Sequence, residues 1–66
     1  MEEVIKNKFE KPLGIIRREN GKLVARDAFG VKLGYYDRRL NATIEASGEI
    51  FAKGNALSAL IFRNAA

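Results

Sequence analysis

Six glycines, Gly14, Gly21, Gly30, Gly34, Gly48 and Gly54, cut residues 13–54 into short pieces, and the runs between them are rich in Ile, Val, Leu, Tyr and Phe. That punctuation points to short strands joined by tight turns. The strongest signal is Asn20-Gly21, flanked by Leu13–Glu19 and Lys22–Asp27, because both residues tolerate the positive φ that a type I′ hairpin turn demands. Two further turns follow at Asp27-Ala28-Phe29-Gly30 and Glu45-Ala46-Ser47-Gly48, each with an acid at the first position and Gly at the fourth.

The recurrence suggests a repeat. Phe9–Ile16 laid over Phe29–Tyr36 matches Phe, Leu and Gly, and Ser47–Gly54 laid over the same segment keeps the turn Gly, an apolar residue for Leu33 and a small one for Gly34. The chain reads as two and a half copies of a hairpin unit, although short strands of any meander share such features. Gly14, Gly34 and Ala52 fall at equivalent places inside strands, where a small residue makes room for a close neighbour. Tyr35 and Tyr36 are the expected occupants.

After Gly54 the period changes, with Leu57, Leu60 and Ile61 spaced to share one helix face, Asn55 as N-cap and Arg63 suited to the C-terminal end of the dipole. So short a helix must dock on the sheet or on another subunit. Residues 1–11 read either as an edge strand, built on Val4, Ile5 and Phe9, or as a flexible tail ending near Pro12. The expectation is one domain over residues 1–66: a mainly β protein, an antiparallel meander of four to five short strands over 12–53, then one short C-terminal helix over 55–63.

The chain contains no Cys and no His, which removes thiolate or imidazole metal sites, disulfides and the usual nucleophile–base pairs. Ser47 reads as a turn residue and Ser58 as a helix position, with no base to activate either. With 66 residues it can hardly enclose a pocket and keep a core as well. These features predict no enzyme, no metal and no cofactor. The most apolar segment, Ala56–Phe62, falls far short of the roughly 20 residues of a membrane span, and the acidic opening Met1-Glu2-Glu3 is unlike a secretory signal. The expectation is a cytoplasmic protein without a membrane partner.

Twelve Lys+Arg against eight Asp+Glu give a formal charge of +4. Arg17-Arg18 and Arg38-Arg39 flank turns that a meander can bring together, and Tyr35 and Tyr36 offer stacking faces, which makes a small nucleic-acid-binding protein one reading. Strand alternation counts against it, since each arginine pair must split across the sheet, and Glu19 and Asp37 lie beside the arginines. The leading reading is a non-catalytic interaction module that forms a homo-oligomer. Ile15-Ile16, Leu23-Val24 and Tyr35-Tyr36 put apolar groups on both faces of their strands, and one short helix covers only one face. Ile15, Ile16, Tyr36, Leu57, Leu60 and Ile61 are the expected self-association residues, with a symmetric dimer the commonest form of such contacts.

Asp27-Ala28-Phe29-Gly30-Val31-Lys32-Leu33-Gly34-Tyr35-Tyr36-Asp37, then Asn41-Ala42-Thr43 and Gly54-Asn55-Ala56-Leu57, resembles small bacterial proteins built from repeated β-hairpins of the Asp-x-x-Gly-x-x-Leu-Gly type. It is similar in style to the family called four-fold β-flower proteins, over roughly residues 9–57. The resemblance implies a hairpin-repeat fold and brings no assigned activity and no functional residues. The chain departs from a regular flower in having fewer copies and a terminal helix.

Overall fold

The computed structural model describes residues 2–66. Six strands, β1 (Glu2–Lys6), β2 (Pro12–Glu19), β3 (Lys22–Asp27), β4 (Lys32–Asp37), β5 (Ala42–Glu45) and β6 (Ile50–Lys53), precede one helix, α1 (Leu57–Ala65). They form a single antiparallel meander in the order β1-β2-β3-β4-β5-β6. The strand count is six rather than four to five, because residues 12–53 supply five and residues 2–6 form the edge strand that was one of the two readings of the N-terminal segment.

Three of the hairpins close through one turn design. In β1–β2, β3–β4 and β5–β6 the first turn residue, Asn7, Asp27 or Glu45, donates its N–H to the carbonyl four residues on, at 3.0, 2.9 and 2.8 Å. Its own carbonyl accepts from the residue three ahead, Glu10, Gly30 or Gly48, at 3.0, 3.1 and 2.8 Å. That last residue has φ of 65°, 88° or 98°, so Gly suits it and Glu10 occupies it against its preference. Asn7 Oδ1 and Asp27 Oδ1 each accept two further backbone N–H groups, at 2.8 to 3.0 Å. At the opposite end of the sheet, Asn20 (φ 51°) and Gly21 (φ 79°) make the expected tight turn between β2 and β3.

Helix α1 lies across β2, β3 and β4. Leu57, Leu60 and Ile61 are buried with Ile5 and Ala25, and Leu13, Ile16, Leu23, Leu33 and Tyr36 pack around them. The close approach is made possible by the strand glycines. A Cβ on Gly14 would lie 3.1 Å from Ile61 Cγ2, and one on Gly34 would lie 2.8 Å from Leu60 Cδ2. The occupants of those places are therefore Leu60 and Ile61, not Tyr35 and Tyr36, because α1 folds back over the row that the glycines leave bare.

The helix begins at Leu57 and ends at Ala65, two residues later at each end than the expected 55–63. Thr43, fully buried, explains the late start: its hydroxyl donates to the Gly54 carbonyl and accepts from the Ala56 N–H, both at 2.8 Å. Those bonds fix the linker in a non-helical course. Asn55 Oδ1 still accepts from the Leu57 N–H, at 3.2 Å, so it acts one residue ahead of the formal N-cap, Ala56. At the other end Arg63 reaches Glu45 Oε1 at 2.6 Å and stands 4.9 Å from the Phe51 ring centroid.

Candidate binding surfaces

Strand alternation and the observed register sort the side chains onto two faces. On the helix side one row runs Arg18, Leu23, Tyr36, Thr43 and Ala52; on the other side a row runs Glu2, Arg17, Val24, Tyr35, Ile44 and Ile50. The arginine pair in β2 and the tyrosine pair in β4 are thus divided, as alternation requires.

The face away from α1 does not depend on a partner to cover its centre. Val24, Ala42 and Ile44 are buried there within the chain itself. Tyr35 stands between Val24 and Ile44 in the row, and the ammonium groups of Lys22 and Lys32 lie 4.7 and 5.2 Å from its ring centroid. Beside it, Glu19 accepts from Arg17 Nε at 2.8 Å and from Arg26 Nε and NH2 at 2.8 and 2.9 Å, while Arg17 also reaches Glu2 at 3.4 Å. The hydrogen bonds from Arg26, then those from Arg17, hold the Glu19 carboxyl down to about 2, from an ordinary 4.5. Because the folded state binds this proton less tightly than the unfolded chain, the ion pair stabilises the fold above about pH 4.5 and its contribution is lost as pH falls toward 2. Thermal unfolding followed by circular dichroism should show the midpoint dropping between pH 5 and pH 2, with a shallower drop in Glu19→Gln. An equal slope in the two proteins would assign the acid sensitivity to other groups.

At the end of the sheet where the β2–β3 and β4–β5 turns emerge, Arg18, Lys22, Leu23, Tyr36 and Arg38 line a hollow of about 150 Å³. One arginine of each sequence pair is therefore brought to it. Arg17 lies on the opposite face in the Glu19 cluster, and Arg39 sits exposed in the β4–β5 turn, its backbone N–H donating to Asp37 Oδ1 at 2.9 Å. Tyr36 presents its ring to the hollow, and its hydroxyl donates to Asn41 Oδ1 at 2.6 Å. Lys22 was not among the expected residues.

The opposite end, formed by the three like turns, carries exposed apolar side chains among charged ones such as Lys8, Glu10 and Lys11. Phe9 and Phe29, at equivalent places in their turns, are 77% and 93% exposed, and Val31 is 58% exposed. Ala28 lies between two hollows, one of about 240 Å³ lined by Pro12, Leu13, Phe29 and Ala65, the other of about 370 Å³ lined by Val4, Pro12, Ile15 and Gly30. Of the six expected self-association residues, Leu57, Leu60 and Ile61 are consumed by the chain's own core and Ile16 and Tyr36 pack against that core. Ile15 alone lines a surface away from the helix. The helix face that was assigned to a partner is satisfied by the sheet instead, because Gly14 and Gly34 let α1 approach it closely. Phe9 and Phe29 escaped that assignment although the repeat alignment places one over the other.

Among the described residues no cluster of metal-ligating side chains occurs, and no helix is long and apolar enough to cross a membrane. No family model, curated protein or solved structure matches the chain.

Proposed function

We propose that the protein is a non-catalytic interaction module that pairs with a second copy of itself through the end of the sheet carrying Phe9 and Phe29. The observation that carries this reading is the high exposure of two phenylalanines at equivalent places in their turns, Phe29 lining a hollow with Pro12, Leu13 and Ala65. Exposed aromatic rings at one end of a small sheet are the groups a contact surface would use. The surface holds both projecting rings and recesses that mix apolar groups with Lys11 and Asp27, and a two-fold contact needs that self-complementarity because the same patch serves on both subunits. Small size favours it as well, since a 66-residue chain gains from burying more apolar surface than it can cover alone.

Sedimentation velocity over a range of about 1–200 µM should show a monomer–dimer equilibrium. Loss of an aromatic anchor costs about 2 kcal/mol or more, so Phe29→Ser should weaken dimerisation roughly 30-fold while leaving the circular dichroism unchanged. The double variant Phe9→Ser/Phe29→Ser should be monomeric throughout. A wild-type monomer at every concentration, or a double variant that associates as the wild type does, would overturn the reading.

A further inference from the structure

We propose that the hollow between the β2–β3 and β4–β5 turns binds a backbone phosphate of single-stranded nucleic acid, with Arg18 and Arg38 as the phosphate ligands and the Tyr36 ring as the wall against which the adjoining base stacks. Arg18 and Arg38 come from strands and turns far apart in sequence yet line the same recess with Tyr36. Neither takes part in an ion pair among the described residues, whereas Lys6, Arg17, Arg26 and Arg63 all do.

The two acids nearest in sequence do not neutralise them. Glu19 follows Arg18 in β2 and so points to the opposite face, where Arg17 and Arg26 saturate it. Asp37 follows Tyr36 in β4 and likewise faces away, its Oδ1 accepting the N–H groups of Arg39 and Leu40 at 2.9 and 3.3 Å. The same alternation that splits the arginine pairs therefore separates the cations from their neighbouring acids. Lys22 also lines the recess, although its ammonium lies over Tyr35 on the opposite face, and Arg39 sits exposed in the adjoining β4–β5 turn. The acid facing this region is Glu3, which lines the adjoining recess with Ile16 and Leu23, so a bound strand runs toward Arg39 and away from β1.

The class of ligand follows from size and chemistry. A recess of about 150 Å³ with two guanidiniums and one aromatic wall accommodates a phosphodiester and its neighbouring base. It offers no element to enter a duplex groove and no row of cations to follow two strands.

Fluorescence anisotropy of a labelled 12-nucleotide oligothymidylate, titrated with the full chain, tests this. Binding is expected at 20 mM NaCl. With about three phosphates neutralised, the log–log salt slope should be near −2, or roughly 100-fold weaker binding for a tenfold rise in salt. Arg18→Ala and Arg38→Ala, both exposed positions, should each lower the magnitude of the slope by about 0.7, and the corresponding duplex should bind at least tenfold more weakly. Lys8→Ala, at the opposite end of the sheet, should change nothing. No binding at 20 mM NaCl, equal binding of duplex, or an equal loss from Lys8→Ala and Arg38→Ala would overturn the proposal. Because the dimer surface lies at the other end of the sheet, Phe9→Ser/Phe29→Ser reports on dimerisation separately.

Discussion

Gly34→Ala is expected to leave the protein largely unfolded at 25 °C, the most severe effect of any single methyl group in this chain. A Cβ at that position collides with the Ile44 carbonyl oxygen in β5 and lies 2.8 Å from Leu60 Cδ2 in α1. The leucine can move; the backbone of a paired strand cannot move without breaking the β4–β5 ladder. Overpacking of this kind costs about 3 kcal/mol or more, and a core of this size supplies only about 3–5 kcal/mol. Gly14→Ala meets the Arg26 carbonyl and Ile61 in the same way and should also fail, though β2 has an edge-strand neighbour in β1 and more freedom to shift. Chemical denaturation of the purified variants is the measurement. The double variant Gly34→Ala/Leu60→Ala separates the two clashes, since removing the leucine relieves only the softer one. If the double variant were more stable than Leu60→Ala alone, the backbone clash would not be the controlling term.

These glycines also show how far the sequence carries. A small residue inside a strand announces that something approaches closely, and that much was legible at Gly14 and Gly34. Which side chain approaches depends on where a helix some twenty or more residues away comes to rest, a tertiary outcome that local propensity does not encode. The tight β2–β3 turn was legible because Asn20-Gly21 is one of few dipeptides suited to two positive φ values in succession. The first turn was not, because Glu10 takes the place that Gly30 and Gly48 hold in its counterparts, so the segment before Pro12 read equally as tail or strand. At the basic end, Glu19 and Asp37 adjoin the arginines in sequence, so the charges look compensated along the chain. The same period-two rule, extended to the acids, places them on the far face.

The meander also sets what each end of the molecule can offer. Three like turns gather at one end and two at the other, so residues far apart in sequence share each end of the sheet. Phe9 and Phe29 share the first end; Arg18, Lys22, Arg38 and Arg39 share the second. A chain that pairs through one end and holds a strand of nucleic acid at the other would present two basic recesses facing apart, an arrangement that raises avidity for a ligand long enough to reach both.

Leu60→Ala is the second large effect expected, with a loss of about 2–5 kcal/mol from transfer and residual cavity. Leu60 is buried at the centre of the helix face, directly over Gly34, and no other side chain can fill its place because the glycine has none. The largest fully buried apolar side chains of this small domain, Leu57, Leu60 and Ile61, thus all lie in the contact between α1 and the sheet. The bonds from Thr43 to Gly54 and Ala56 anchor the start of α1 on the sheet, so a weakened helix face should not simply detach while the strands persist. Unfolding of Leu60→Ala in guanidinium chloride should remain a single transition with an unchanged slope and a lower midpoint. A split transition, with helical signal lost before the strand signal, would mean that the sheet stands without α1. A cost below about 1 kcal/mol would mean that Leu60 is not closely packed against β4 in solution.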